Sequence, residues 1–176
     1  MAMKARMALA LALALVAVSV YAQPLVITTD VYDVEVRVST PFGAFLDNAQ
    51  VQVKKLDGSL VSTTSDANGR IVVEDVPKGV LQVKILSWKG LTIDSKWYEV
   101  SVSKNTVTVE EIGILRVKVV GERGQGIAGA TVYVEDTPLS GFTREDGIAE
   151  FLLPRANYKV KACLGDTCES TTVQVL

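Results

Sequence analysis

From residue 30 onward the chain is written in steps of two. Val34, Val36 and Val38 alternate with Glu35 and Arg37; Val51 and Val53 alternate with Gln50, Gln52 and Lys54; Leu81, Val83 and Ile85 alternate with Gln82 and Lys84. A strand turns successive side chains to opposite faces, so this period places one face on a core and the other in water. The runs are short, and Gly, Asn, Asp and Pro separate them. That pattern predicts antiparallel strands stacked as a sandwich, and the fold class is all-β.

The pattern then recurs in order. Asn48-Ala49-Gln50-Val51-Gln52-Val53 lines up with Gly129-Ala130-Thr131-Val132-Tyr133-Val134. The turn from Thr64 through Asp66, Asn68 and Gly69 to Ile71 answers the one from Thr143 through Asp146 and Gly147 to Ile148. Val76-Pro77-Lys78 matches Leu153-Pro154-Arg155, and Leu81-Gln82-Val83-Lys84 matches Tyr158-Lys159-Val160-Lys161. Two copies are too few for a solenoid, so the repeat predicts a duplicated domain. The first copy is read as residues 31–111 and the second as 112–176, with 23–30 as an extended lead-in.

These marks resemble a known group: the carboxypeptidase regulatory-like domains, among the prealbumin-like (transthyretin-like) sandwiches. The carriers are the Gly-Ala-x-Val-x-Val strand, the Asp-x-x-Gly turn with an apolar strand behind it, and the Pro-containing step into the next strand. The resemblance covers about residues 31–176 and implies two tandem Greek-key sandwiches. It further implies a surface, adhesive or carbohydrate-associated module. These are turn and core signals, which specify a fold and leave function open.

The N-terminus sets the expected compartment. Lys4 and Arg6 precede an apolar run from Met7 to Val18, and Val20 and Ala22 stand at the −3 and −1 positions of a cleavage site. This is the layout of a secretory signal over residues 1–22, and the run is shorter than the ~20 residues of a typical spanning helix. The reading is therefore secreted or cell-surface, with membrane attachment only if the segment stays uncleaved. Loss of Lys4 and Arg6 would take the net charge from −2 to −4. A mildly acidic surface offers nothing to nucleic acid.

The sequence has no histidine. The usual neutral-pH base and the commonest metal ligand are therefore missing. Ser-His-Asp and Cys-His catalysis is excluded, as is the histidine chemistry of the transthyretin-like hydrolases. Asp66-Ala67-Asn68-Gly69 opens like a calcium loop but lacks the later acidic ligands, and Asn68-Gly69 and Asp146-Gly147 suit tight turns. No catalytic residue, metal site or cofactor is expected.

Three features remain as candidate sites. Cys163 and Cys168 bracket the hairpin loop Leu164–Thr167; counting from core-facing Tyr158 and Val160, and from Val173 and Val175, both cysteines face outward on neighbouring strands. That parity predicts a disulfide, which an exported location permits. Trp88, Trp97 and Tyr98 flank the longest connector of the first copy, where they form either a ligand platform or, as the preferred reading, a roof of core aromatics. Finally, the strand after Leu81–Ile85 has two successors in the first copy, Tyr98–Ser103 and Thr106–Glu110, but only Thr171–Val175 follows in the second. The second copy is thus expected to be one strand short. Pro24–Thr29, with Leu25, Val26 and Ile27 at its centre, reads as a strand without a place in the repeat.

The leading function is an exported, non-catalytic structural or adhesive module whose partners are other surface proteins. The alternatives are a filament subunit assembled from copies of itself by strand donation, and a carbohydrate-binding accessory protein that takes polysaccharide.

Overall fold

The computed structural model describes residues 30–176. The signal segment and the candidate donor residues Leu25, Val26 and Ile27 lie outside them. Fourteen strands follow one another: β1 Val31–Ser39, β2 Gln50–Lys54, β3 Leu60–Thr64, β4 Arg70–Pro77, β5 Leu81–Trp88, β6 Leu91–Thr92, β7 Tyr98–Val100, β8 Thr106–Thr108, β9 Ile112–Lys118, β10 Thr131–Val134, β11 Ser140–Phe142, β12 Ile148–Pro154, β13 Asn157–Leu164 and β14 Thr167–Gln174. The protein is all-β in this region, and no helix among the described residues is long and apolar enough to cross a membrane.

The strands form two sandwiches in tandem. In the first, a sheet ordered β4-β1-β8 faces one ordered β3-β2-β5-β6, with β7 also paired to β5. In the second, a sheet ordered β12-β9 faces β11-β10-β13-β14. Each alternating run meets its own core. Val34, Val36, Val38, Val51, Val53, Leu81, Val83 and Ile85 are buried in one cluster. Leu115, Val132, Val134, Leu153 and Val160 are buried in another. Ile112 joins the two: its backbone begins β9, while its side chain fills the first core, against which Leu152 also packs.

A hydroxyl clasp recurs in both copies. Ser65 accepts the Ala49 N–H at 2.9 Å and donates to the Leu46 carbonyl. Thr143 accepts the Ala130 N–H at 3.0 Å and donates to the Ile127 carbonyl at 2.6 Å. Both residues are buried, and each ties the loop after the first strand to the end of the third. Ser65 is therefore the partner of Thr143, one residue along from the alignment drawn in the sequence, and Ile71 answers the smaller Ala149 rather than Ile148.

The turn that follows is held by a side chain acting as a backbone mimic. The Asp66 carboxylate accepts the N–H groups of Asn68 and Arg70 at 2.8 and 2.9 Å, and these bonds hold its pKa below the ordinary carboxylate value. Asp146 accepts the Ile148 N–H in the same way. Gly69 and Gly147 adopt φ of 67° and 78°, and an added Cβ would stand 2.3 and 2.6 Å from the carbonyl oxygens of Val38 and Val119. Only glycine lets the backbones approach so closely.

Candidate functional site

The three sequence candidates fall in different places. Cys163 and Cys168 stand directly opposite each other on β13 and β14, with Cα atoms 4.1 Å apart, and are joined by a disulfide. The hairpin that carries them is largely exposed.

The aromatic candidates do not form one surface. Trp88 is 2 % exposed and belongs to the first core; its indole N–H donates to Asp47 Oδ1 at 3.1 Å and the Lys89 ammonium lies 4.3 Å from its ring centroid. A ligand platform that includes Trp88 is thereby corrected: the ring has no free face to offer. Nor is the stretch from Trp88 to Lys96 simply a loop. It turns back as β6, buries Ile93, and uses the buried Ser95 hydroxyl to accept the Ile85 N–H at 2.9 Å.

Tyr98 is half-buried, and its hydroxyl donates to the Glu111 carboxylate. Burial first, and that carboxylate second, push its pKa above the ordinary phenol value. Glu111 also accepts the Lys96 N–H at 3.1 Å, and its carbonyl accepts the Arg155 N–H at 2.8 Å. Glu110 forms a 2.8 Å ion pair with Lys96, which holds its pKa down. Glu110 is an exposed residue beside the start of β9. Glu111 is a clasp between the connector of the first sandwich and the start of the second.

Trp97 is the one member of the trio with substantial exposure, at 37 %. Other aromatics are more open, with Phe142 70 % exposed and Phe42, Phe45 and Tyr133 also exposed. Alternation places Tyr133 on the outer face of β10, but no period identifies Phe142, which sits in a three-residue strand.

A groove of about 730 Å³ runs beside β9. Its apolar lining comes from Val117, Val119, Ile127, Val160, Ala162 and Leu164. The first sandwich shows what is different here. There β8 lies parallel to β1, pairing Arg37 with Thr106, Val38 with Val107 and Ser39 with Thr108, and buries Val107 and Val109 over the core. Among the described residues no strand takes that place beside β9. Val117 and Val119 are consequently half-exposed where Val36 and Val38 are fully buried.

Among the described residues seven ion pairs lie on the surface, and no group of three or more Cys, Asp and Glu could hold a metal.

No protein-family model matches the chain, and no curated protein does. Among solved structures it is similar to the Bacillus anthracis TIE protein, at 20 % identity and a TM-score of 0.37, over 82 % of this chain and 31 % of that one. It is also similar to a Streptococcal ancillary pilin, at 16 % identity and a TM-score of 0.37, over 89 % and 64 %. A third is the minor pilin of Streptococcus agalactiae, at 11 % identity and a TM-score of 0.35, over 81 % and 90 %. The chain thus spans less than two thirds of the first two, and likenesses this distant carry no weight for function.

Proposed function

We propose that this chain is an exported, non-catalytic structural module of the cell surface. The observation that carries the reading is the disulfide between Cys163 and Cys168 on an exposed hairpin. A bond so placed persists in an oxidising compartment and is rare where thiols are kept reduced. The absence of histidine from the sequence and the dispersal of carboxylates into surface ion pairs support the non-catalytic part. The clasp at Glu111 supports a structural role, since it ties the two sandwiches at their joint.

The test is to fractionate native cells and label intact ones with an antibody against the second sandwich, followed by negative-stain imaging. Surface label on intact cells, with both cysteines resistant to alkylation until reduced, is the expected result. Recovery in the cytoplasm with two free thiols would overturn the proposal.

A further inference from the structure

We infer that the free edge of β9 is an acceptor for a strand, and that the strand it takes is residues 23–27 of a second copy of this chain, laid parallel to β9. The inference goes beyond the reading of an exported module and uses it only for where assembly takes place.

The first sandwich supplies the template. Arg37, Val38 and Ser39 correspond to Lys118, Val119 and Val120, because Val38 and Val119 make the same two bonds. Each N–H donates to the turn glycine (Gly69 or Gly147), and each carbonyl accepts from Leu46 or Ile127, all at 2.8–3.1 Å. Arg37 turns its N–H away from β4 to the Asn105 carbonyl at 2.8 Å, and Ser39 turns its carbonyl to the Val109 N–H at 2.8 Å. The alternation of an antiparallel ladder turns the backbone groups of Lys118 away from β12 in the same manner. An edge that presents such groups beside half-exposed valines is a site for strand addition.

What the edge needs follows from β8. It needs an extended segment with two apolar side chains two residues apart, to stand where Val107 and Val109 stand. Leu25 and Ile27 have that spacing. Placing Leu25 opposite Val119 puts the Gln23 carbonyl at the Lys118 N–H and the Ile27 N–H at the Val120 carbonyl. Pro24 then occupies the position of Thr106, whose own N–H faces away from β1. A proline, which has no N–H, is tolerated there. Val26 takes the place of the exposed Thr108 and faces water.

The donor belongs to another molecule because of the direction of the chain. β1 runs toward the joint and β9 runs away from it, since Ile112 at the start of β9 is packed in the first core. The segment before Val31 therefore begins at the end of the first sandwich that is remote from Lys118–Val120. A donor at one end and an acceptor at the other make a heterologous contact, which builds a filament unless its rotation closes a ring.

The test uses the purified chain from Gln23 to Leu176, so its result is independent of where the protein resides in the cell. Light scattering and electron microscopy of the unaltered chain should show concentration-dependent polymers. Leu25→Asp with Ile27→Asp should abolish them, whereas Val26→Asp should leave them intact. Lys118→Pro removes one N–H at the acceptor edge and should likewise give a monomer. Mixing the donor-defective and acceptor-defective variants should yield a one-to-one dimer and nothing larger. A synthetic peptide of residues 23–30 should bind the donor-defective variant with saturation at one per chain. If Lys118→Pro does not fold, that peptide titration and the Val26→Asp comparison decide alone. A chain that stays monomeric at high concentration, polymers that survive the double aspartate, or a peptide that does not bind would each overturn the inference.

Discussion

The two sandwiches are copies of one plan, and they differ most at one edge. In the first, β8 completes a three-stranded sheet and seals the core, so that Val36, Val38 and Leu46 have no exposure at all. In the second, the corresponding Val117, Val119 and Ile127 are only half-buried, and the sheet has two strands among the described residues. The clasp and the glycine turn are shared, and the pairings β1-β4, β2-β3 and β2-β5 recur as β9-β12, β10-β11 and β10-β13. A sandwich therefore keeps its fold without its last strand, and what it loses is the cover over one end of its core.

The largest effect should separate the two cores directly. Leu46→Ala empties a fully enclosed site and is expected to cost about 2–5 kcal/mol of stability. Ile127→Ala, at the matching position beside the groove, should cost less than half as much, because water already reaches that site. Denaturant unfolding of the two variants measures both values. Equal losses would show that the second core is sealed in solution, for instance by a strand already seated on β9.

The hydroxyl clasps should give the next largest effect. Ser65→Ala leaves a buried N–H and a buried carbonyl without partners, and is expected to cost roughly 1–3 kcal/mol. Thr143→Val keeps the shape and should fall at the lower end of that range, since its surroundings are more open. Thermal unfolding of each variant is a sufficient readout.

The disulfide should matter less than the first core. It closes a short loop, and replacing both Cys163 and Cys168 by Ser is expected to cost roughly 2 kcal/mol in the chain-entropy account. The loss should be confined to the second sandwich. Hydrogen exchange that quickens in the second sandwich alone would confirm this, whereas faster exchange in the first sandwich would mean that the two unfold as one unit.

Much of this fold was legible because its rules are local. Alternation marks the buried valines of β1, β2 and β5, and outward parity pairs Cys163 with Cys168. The repeat was visible as well, although it slipped by one residue at Ser65, where a threonine next to a serine left two equal choices. What escaped the sequence was decided by tertiary contact. A serine beside a turn reads as solvated, and nothing in Thr64-Ser65-Asp66 says which hydroxyl turns inward to the Ala49 N–H. Ile93 is hidden because a connector that folds back as β6 has too few residues to show a period, whereas Trp88 lies in the core as the preferred reading of the aromatics had it. Glu111 reads as one of two adjacent acids, and only the approach of Tyr98 makes it a clasp.

That approach gives the last and smallest prediction, which compares one phenol from each sandwich. Tyr98 meets the Glu111 carboxylate, while Tyr158 donates to the Pro154 carbonyl at 2.7 Å. Burial raises the pKa of both, and the carboxylate adds to it only at Tyr98. A group whose folded pKa lies above its unfolded value contributes stability that is fully present below the unfolded pKa, about 10 for a phenol, and lost as pH rises through the folded one. Lys96 and Lys159 are raised by their partners Glu110 and Glu135 and follow the same sign, so the whole protein should weaken in alkali. The contribution of Tyr98 is isolated by Tyr98→Phe, which should be slightly less stable near neutral pH, having lost the bond to Glu111. Its decline above about pH 10 should be shallower than that of the unaltered chain. Tyr158→Phe should change the slope less. Phenolate absorbance during an alkaline titration, combined with denaturant unfolding at each pH, measures both. If Tyr98 ionises before Tyr158, the contact with Glu111 does not hold in solution, and the joint between the sandwiches is looser than its hydrogen bonds imply.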